Sequence, residues 1–535
     1  MNRRLSAVIA LAFGITWSVA LTGILNMPLT HAGVQDAVYY VDRNNPAASD
    51  SNPGTEALPW RTIQKAANTV SPGDTVYVKT GIYDERVTIN RDGSPAAKIA
   101  FKALPRRSVQ VLHGFNVSAD AIRIEGFDIT HNLGGWLNGG IWIAGHDIEI
   151  VDNYIHNVPG AGIQPSWAGD VWRNVYIANN YIYGCNKGLE VSGDNWLVEN
   201  NEIERLIQPS GGYDADYMRF FGANHIIRRN YMHGTRPEEI GNSHTDCFQT
   251  FSDNNSSAHN ILIEYNQCLD FAHQVFMMGG NGASHSNITI RYNVFQGFTA
   301  WGVCAQNIQD LYVYNNTWVG LGTGDPASYH GVGFRFGSTG TVKNNIFVKS
   351  LSSYWRDAES SYVSGHNLIF ECRDDPNPGS PTDFLDTDPL FTTPADILGP
   401  DGIPWTADDG LQLQAGSPAV AGGEGGTFIG AYAFVPSLVL QGRGADAMIH
   451  LAWTVNATLP TSSTWHITYG SQAGTAYLPI TDIISPTRAY TLTGLTNYAW
   501  YTVTLNAMLD SVPILTDTVR VMPTDRFVYL PLVLR

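Results

Sequence analysis

The sequence predicts an all-β protein in which a solenoid is followed by a small β-sandwich. The first observation is a short β-type segment that recurs through the middle of the chain with an asparagine at the same place. The second is a composition with 53 glycines, 11% aromatic and only 15% charged residues, typical of strands joined by many turns. The third is a different strand pattern after about residue 435.

An asparagine marks the same position of every repeat, in segments such as IEIVDNYI, WLVENNEI and ITIRYNVF. One strand-turn-strand unit for every two to three dozen residues is typical of a solenoid. We expect asparagine here because it tolerates a left-handed backbone and because its amide can bond the amides above and below. These residues are therefore predicted to be scaffold: Asn153, Asn180, Asn201, Asn230, Asn266, Asn293, Asn316 and Asn345.

Residues 1–32 read as an export signal. Arg3 and Arg4 precede an apolar run, and Thr30-His31-Ala32 offers a small-residue cleavage site. An uncleaved membrane anchor is the alternative, because the run is long. Cleavage predicts a secreted or cell-surface protein without stable membrane insertion. The net charge of −17 argues against a nucleic-acid partner, and we expect a monomer.

The residues that follow the signal resemble a known family. They read YYVDRNNPAASDSNPGTEALPWRTIQKAANTV and then PGDTVYVKTGIYDERVTI, which predicts a loop, a helix over 62–70 and strands over 75–79 and 86–89. This opening resembles the N-terminal cap and first coil of right-handed parallel β-helix proteins of the pectate-lyase-like superfamily. The resemblance implies a right-handed parallel β-helix over residues 37–434, with the helix covering its open end.

Residues 435–524 carry the second strand pattern. LAWTV, TWHITYG, YTLTGL and YAWYTVTLNA alternate at the spacing of a sandwich. Together with Trp453, Leu495 and Tyr501 they resemble a fibronectin type III module. The tail over residues 525–535, which ends FVYLPLVLR, is either a last strand or a surface-retention signal.

Five cysteines do not form a disulfide framework in a chain of this length, and the odd number leaves at least one thiol unpaired. Cys268 stands at a ladder position that other repeats fill with isoleucine or phenylalanine. We therefore expect it to fill the core as a small apolar side chain.

Alternation along the strands predicts which side chains share a face. When the coils are aligned on their asparagines, one column of side chains points outward. We call it the outward column. Its predicted members are Trp142, Gln164, Glu190, Arg219, Gln249, Met277, Cys304 and Arg335. A second column, the turn column, enters the same strands and consists of Lys187, Asp216, Asp246 and Gln274.

Charges of both signs converge on neighbouring coils in the middle of the solenoid, which favours a functional site over a solvated surface. The predicted catalytic residues are Lys187, Arg219, Asp216, Asp246 and His244. The predicted substrate-binding residues are Glu190, Gln249, His273 and Trp142.

Two reactions on a polysaccharide fit these residues. In β-elimination on a uronic-acid glycan, the substrate carboxylate is neutralised and a base removes the proton at C5. The family resemblance implies calcium for the first task and a lysine or arginine for the second, but no run of residues here matches a specific lyase motif. On that reading Lys187 or Arg219 is the base, and the calcium ligands are Asp214, Asp216, Asp246 and Glu190. Glycoside hydrolysis by the pair Asp216 and Asp246 is the alternative.

A non-catalytic carbohydrate-binding protein or adhesin is the third hypothesis. Tryptophans near the charged coils would then be platforms for sugar rings, and loop packing is the competing explanation for each. They are Trp136, Trp142, Trp167 and Trp172. The residues alone do not decide among the three hypotheses, nor do they name the sugar.

Overall fold

The structure is a computed structural model. It describes residues 36–130, 139–167, 171–208, 214–251, 257–271, 273–280, 284–297, 300–321, 331–457, 459–472, 477–509 and 512–525. The predicted signal peptide, residues 526–535 of the predicted tail and Trp136 lie outside the described residues. Within the described residues, no helix is long and apolar enough to cross a membrane.

The amino-terminal part of the solenoid begins with a short helix between its first strands. Its elements are β1 (Val38–Val41), α1 (Ile63–Ala67), β2 (Thr75–Tyr83), β3 (Val87–Ile89), β4 (Ile99–Val111), β5 (Phe115–Val117), β6 (Ile122–Glu125), β7 (Asp128–Thr130), β8 (Ile141–Ile143), β9 (Glu149–Val151), β10 (Tyr154–His156), β11 (Ala161–Pro165), β12 (Tyr176–Ala178), β13 (Tyr181–Tyr183), β14 (Lys187–Asp194), β15 (Leu197–Glu199), β16 (Glu202–Glu204) and β17 (Met218–Ala223).

The second part of the solenoid repeats the same pattern of short strands. Its elements are β18 (Ile226–Arg228), β19 (Tyr231–His233), α2 (Pro237–Ile240), β20 (Asp246–Thr250), β21 (Ala258–Glu264), β22 (Gln267–Phe271), β23 (Gln274–Met278), β24 (His285–Arg291), β25 (Val294–Gly297), β26 (Val303–Gln306), β27 (Ile308–Tyr314), β28 (Thr317–Val319), β29 (Val332–Arg335), β30 (Thr339–Lys343), β31 (Ile346–Val348), β32 (Tyr354–Arg356), β33 (Ser361–Gly365) and β34 (Leu368–Phe370).

These strands form a parallel β-solenoid of about 9 turns with three faces. Each full coil gives one strand to each face, and each strand pairs in parallel with its counterparts in the neighbouring coils. Face A runs from β3 and β5 through β14, β17, β20 and β23 to β32. Face B runs from β1 and β2 to β33, and face C runs from β7 to β34. Inward side chains fill the interior, where the rings of Phe248 and Phe276 stack 4.7 Å apart. The predicted β-helix is confirmed.

The asparagine ladder lies at the turn between faces B and C. The Nδ2 of Asn266 donates to the Oδ1 of Asn293 and to the carbonyl of Ile227, each at 3.0 Å. Its own Oδ1 accepts the backbone N–H and the side-chain amide of Asn230, again at 3.0 Å. All eight predicted asparagines are buried, and the ladder continues to a ninth, Asn367. Hydrogen bonding between coils is therefore confirmed as the reason for asparagine.

The left-handed backbone lies one residue before each ladder asparagine, so the expectation that the asparagine itself adopts it is wrong. The residue before each asparagine tolerates the positive φ because the hydrogen bonds of the asparagine that follows it hold the turn in place. Aspartate, asparagine, arginine and tyrosine all occupy this position. They are Asp152, Asn179, Asn200, Arg229, Tyr265, Tyr292, Asn315 and Asn344.

The solenoid is covered at its amino-terminal end by α1. The helix is shorter than the predicted 62–70: Thr62 caps its start by accepting a hydrogen bond from the backbone N–H of Lys65 at 3.1 Å, and it ends at Ala67, with Asn68 as its C-cap. Ile63, Ala66 and Ala67 are buried against the first coil. The predicted strands over 75–79 and 86–89 are present as β2 and β3.

The segment after β34 pairs with the last coil and then runs back along face C. Phe384 pairs with Leu368 of the last coil. Further along the chain, the backbone N–H of Ala431 donates to the Oγ1 of Thr317 on β28, two strands of face C before β34. Two 3-10 turns, Pro418–Val420 and Glu424–Gly426, lie within it. Its apolar side chains share a core with outward residues of face C; they include Phe391, Ile397, Leu411, Leu413 and Ile429.

Two antiparallel sheets follow and share one core. In chain order the strands are β35 (Leu438–Ala445), β36 (Met448–Val455), β37 (Thr464–Ser471), β38 (Ile480–Ile484), β39 (Ala489–Thr493), β40 (Tyr501–Leu509) and β41 (Val512–Val521). One sheet has the order β35-β36-β39 and the other β38-β37-β40-β41, with the rings of Trp453 and Trp465 5.5 Å apart between them. The predicted β-sandwich is confirmed, whereas its fibronectin resemblance and the domain boundaries stay predictions.

A disulfide bond joins Cys247 on face A to Cys268 on face C of the same coil. Cys268 is buried as expected, but it is bonded rather than a free apolar side chain. Cys185, Cys304 and Cys372 are free. The bond ties β20, which carries Asp246, to the opposite wall of the coil.

Replacing both bonded cysteines with alanine is expected to destabilise the protein by about 3 kcal/mol, because the bond closes a loop of 21 residues in the unfolded chain. Urea unfolding measures the change, with Cys372→Ala as the control. Alkylation of the denatured, unreduced protein should label three of the five cysteines. Five labelled cysteines would contradict the bond.

Candidate active site

Neighbouring strands of face A bring the predicted site residues together. Glu190 on β14 pairs in register with Arg219 on β17, and Arg219 pairs with Gln249 on β20. In the turn column, Asp246 pairs with Gln274 on β23. The alignment of these coils by their asparagines is therefore confirmed. We call the group formed here the charged cluster: Lys187, Glu190, Asp214, Asp216, Arg219, His244, Asp246, Gln249 and His273.

The register of the outward column shifts at β29. Cys304 pairs with Gly333, whereas Arg335 pairs with Gln306, two residues further along. The prediction that Arg335 continues the column is therefore wrong, and Gly333 takes its place. Cys304 and Gly333 each lie 12 residues before a ladder asparagine, so the spacing to the ladder itself indicates Gly333 at this position.

Lys187 and Glu190 form a buried ion pair on β14. The Nζ of Lys187 donates to the Oε1 of Glu190, and the two residues are only 8% and 3% exposed. Both side chains lie at the start of the same strand, three residues apart. Glu190 therefore holds the lysine side chain in one orientation.

Arg219 is a cation held between two carboxyl groups. Its Nε donates to the Oδ2 of Asp216 at 2.6 Å, and its Nη2 lies 3.9 Å from Asp214. Burial lowers the pKa of Arg219, but the charge and hydrogen bond of Asp216 outweigh this effect and raise the pKa above its ordinary value. Arg219 thus stays charged, which makes it unsuitable as the predicted base.

Asp216 and Asp246 are the completely buried members of the charged cluster. The backbone N–H of Asp246 donates to the Oδ1 of Asp216 at 3.2 Å, and Gln249 and Gln274 each donate to the Oδ2 of Asp246 at 3.2 Å. Burial raises the pKa of Asp216 to about 7 in spite of Arg219, and it raises the pKa of Asp246 to about 8. Both carboxyl groups therefore bind protons near neutral pH.

Two histidines stand beside these carboxyl groups. The rings of His244 and His273 stack 4.3 Å apart, and the Nδ1 of His244 lies 4.0 Å from Asp214. The Nδ1 of His273 lies 3.6 Å from the Oδ1 of Asp246. Burial lowers the pKa of His273, which favours a neutral imidazole. His244 has a side chain that is 58% exposed, so it lies at the mouth of the cluster.

The predicted tryptophans occupy different environments. Trp142 lies on the outward column beside Gln164, and its buried Nε1 has no hydrogen-bond partner among the described residues. Trp167 is 47% exposed and meets the ring of Phe221 edge-on. Trp172 donates its Nε1 to the carbonyl of Ser166, and it packs against the core. Trp142 and Trp167 thus border the cluster on one side.

Carboxyl groups suited to a metal ion lie at two places in the described chain. At the charged cluster the donors are carboxylate oxygens, which calcium prefers, and the buried Oδ1 of Asp246 has no hydrogen-bond partner among the described residues. Elsewhere in the described chain, Glu202, Glu204 and His233 hold three donor atoms within 4.8 Å of one another. Sequence analysis missed this group, although alternation along β16 places both glutamates on one side.

Stability should fall as the pH rises from 5 to 8. The folded pKa values of Asp216 and Asp246 are about 7 and about 8, above the ordinary value of 3.8. Between pH 5 and pH 8 the folded state therefore binds more protons than the unfolded state. Each carboxyl group then lowers the free energy of unfolding by up to ~1.4 kcal/mol for each unit of pH. Thermal unfolding midpoints measure the decline, and Asp246→Asn should make it shallower. The exposed Asp482→Asn is the control; equal slopes for Asp246→Asn and wild type would contradict the assignment.

The fold and the cluster together define a parallel β-helix protein with a charged cluster on one face. Residues 39–186 match the family model described as the Pel9A-like right-handed β-helix region. This match covers less than half of the 535 residues. No curated protein matches the chain.

Solved structures are similar in fold. Pectate lyase Pel9A is 16% identical with a TM-score of 0.46, over 75% of this chain and 98% of that chain. The PL6-family alginate lyase AlyGC is 12% identical with a TM-score of 0.42, over 77% of this chain and 61% of that chain. The tailspike protein of E. coli bacteriophage HK620, in complex with a pentasaccharide, is 12% identical with a TM-score of 0.39, over 84% and 74%.

Proposed function

We propose that this chain cleaves a uronic-acid-containing polysaccharide by β-elimination at the charged cluster. The observation that carries the proposal is Arg219, a fixed cation next to the Lys187–Glu190 pair on an outward strand. A cation and a separate amine are what an elimination next to a carboxylate requires. The match of residues 39–186 to the Pel9A-like family model ends before the charged cluster and supports the coarser reading, a carbohydrate-active β-helix protein.

Lys187 is the proposed base and Arg219 the group that neutralises the substrate carboxylate. Lys187 first gives its ammonium proton to Glu190, and the free amine then takes the proton from C5 of the uronate. The electron pair of that C–H bond forms the double bond between C4 and C5, while the bond from C4 to the glycosidic oxygen breaks. The leaving oxygen takes a proton from His244, which stands at the mouth of the cluster.

Asp216 and Asp246 serve as supports in this proposal rather than as groups that touch the substrate. Their side chains are 0% exposed, and they hold Arg219 and Gln249 in place. Glu190 orients Lys187 in the same way. Gln249, His273 and Trp142 are proposed to contact the glycan, as the sequence predicts.

Calcium fits the carboxylate donors of Asp214 and Asp246, which would hold it here. Bound calcium would neutralise the uronate carboxylate together with Arg219. Glu190 and Asp216, also predicted as ligands, are already paired with Lys187 and Arg219 and stand outside this set. The proposal therefore retains two of the four predicted ligands.

Calcium is expected to raise the thermal unfolding midpoint at pH 8 more than at pH 5, because ion binding requires ionised carboxylates. Asp246→Asn should remove most of this increase, whereas Asp482→Asn should keep it. Scanning calorimetry with and without a chelator makes the measurement. An equal calcium effect in Asp246→Asn and wild type would exclude Asp246 as a ligand.

Hydrolysis by paired carboxyl groups is the second candidate. Asp216 and Asp246 lie on adjacent coils, and their raised pKa values suit a proton donor. Their complete burial is the argument against it, because a catalytic acid must reach the glycosidic oxygen. Non-catalytic binding is the third candidate, supported by the partly exposed Trp142 and Trp167.

A panel of polysaccharides separates the three candidates. The protein is incubated with polygalacturonate, alginate and neutral glycans, each with and without a chelator. Absorbance of unsaturated uronate supports elimination, reducing ends without absorbance support hydrolysis, and retention without cleavage supports a binding protein. Absence of all three signals would reject the proposal.

We further propose that the protein is exported and acts as a monomer outside the cell or on its surface. The buried Cys247–Cys268 bond supports this location, since disulfides persist in oxidising compartments. The β-sandwich is proposed to be an accessory module of fibronectin type III character.

A further inference from the structure

The outward column continues from the charged cluster into a group of aromatic side chains. From Gln249 the register runs through Met277 and Cys304 to Gly333 and then to Trp355 on β32. Four strand spacings of ~4.8 Å place Trp355 roughly 19 Å from Gln249. This distance is several times the width of one sugar ring. We call Trp301, Gly333, Arg335 and Trp355 the aromatic patch.

Gly333 provides the space in which the ring of Trp301 lies. A Cβ at position 333 would stand 2.3 Å from the Cζ3 of Trp301, a distance that real side chains do not adopt. The missing side chain therefore lets the indole lie against the backbone of β29. Trp355 follows in register, with its ring 6.5 Å from that of Trp301 and tilted by 47°. Both tryptophans are partly exposed.

Arg335 adds a cation to these rings. Its guanidinium lies 5.7 Å from the ring centre of Trp301 and 4.8 Å from that of Phe336, which is half exposed. Aromatic faces cover the apolar face of a pyranose ring, and a guanidinium binds a carboxylate with two hydrogen bonds. The combination fits an acidic sugar better than a neutral one.

We infer that the aromatic patch is a sugar-binding subsite for the distal part of the same acidic glycan that occupies the charged cluster. This inference rests on the proposed function, and it narrows the substrate to a polymer long enough to reach from Arg219 to Trp355. The continuity of one strand column between the two places is the reason for choosing a glycan chain as the occupant. Shorter oligosaccharides fill the charged cluster without reaching the patch.

The test compares a polymer with a short oligomer in the Trp301→Ala/Trp355→Ala double variant. The substrates are polygalacturonate and alginate, each also supplied as its trisaccharide. We expect the KM for the cleaved polymer to rise at least tenfold, with unchanged cleavage of the trisaccharide. Trp500→Ala, which removes a partly exposed tryptophan from the β-sandwich, is the matched control and should change neither value.

Affinity electrophoresis in gels containing each polymer gives a second measurement that needs no cleavage. The double variant, and the milder Arg335→Gln, should be retarded less than wild type, while Trp500→Ala migrates like wild type. Unchanged KM and unchanged retardation, in a wild type that cleaves, would overturn this inference and leave the proposed function intact. Wild-type retardation that depends on the patch, without cleavage, would support the inference and reject the elimination.

Discussion

Lys187→Gln is expected to lower kcat for polysaccharide cleavage about a thousandfold. Glutamine can still donate a hydrogen bond to Glu190, so the buried carboxylate keeps a partner, but it cannot accept the C5 proton. Removing a positioned general base costs a factor of 10² to 10⁴. Initial rates of unsaturated-uronate formation at saturating polymer give the value, and the unfolding midpoint shows whether the fold is retained.

Lys79→Gln is the matched control. Lys79 also pairs with a glutamate, Glu56, at 2.9 Å, but the pair is exposed and lies in the first coils, away from the charged cluster. Its replacement should leave kcat within a factor of two. A Lys187→Gln enzyme with wild-type kcat would show that another group removes the proton, and His273 would be the next residue to test.

Asn266→Ala is expected to destabilise the solenoid by about 4 kcal/mol. The change removes the acceptor of the Asn230 backbone N–H and side-chain amide, and it removes the donor to the Ile227 carbonyl. These groups are buried, and each unsatisfied one costs about 1–3 kcal/mol. Because the strands of each coil pair with those of the neighbouring coils, the loss interrupts the solenoid in its middle. Guanidinium unfolding followed by circular dichroism measures the effect.

Asn68→Ala serves as the control for this substitution. Asn68 is exposed at the end of α1 in an ordinary helical conformation, with a φ of −83°, and should change stability by less than ~0.5 kcal/mol. Similar losses of stability in Asn266→Ala and Asn68→Ala would mean that the ladder hydrogen bonds contribute little to the free energy of unfolding. The asparagines would then have to be explained by the turn alone.

Much of the fold could be predicted because the asparagines repeat with the coils. The repeat aligned Glu190 with Arg219 and Gln249, and strand alternation then placed these side chains on one face, as the register confirms. Side-chain direction in a strand follows a period of two, so a correct register determines the face. The charged cluster could therefore be located before its geometry was known.

The remaining features depend on three-dimensional contacts that no single repeat encodes. The sequence does not distinguish a ladder residue from its left-handed neighbour, because the ladder bonds that hold Tyr265 there come from other coils. Cys247 and Cys268 meet only across the interior of a coil. The burial of Asp216 and Asp246 was missed for a similar reason, since alternation is not maintained at a turn that enters a strand.

The central claim is that an acidic glycan lies along the outward column with its carboxylate at Arg219. A crystal structure of the Lys187→Gln protein with a hexasaccharide of the cleaved polymer tests it most directly. We expect one uronate carboxylate within about 4 Å of the Arg219 guanidinium, and sugar rings that cross the strands of face A toward Trp355. An oligosaccharide bound on face B or face C, with face A empty, would contradict the claim.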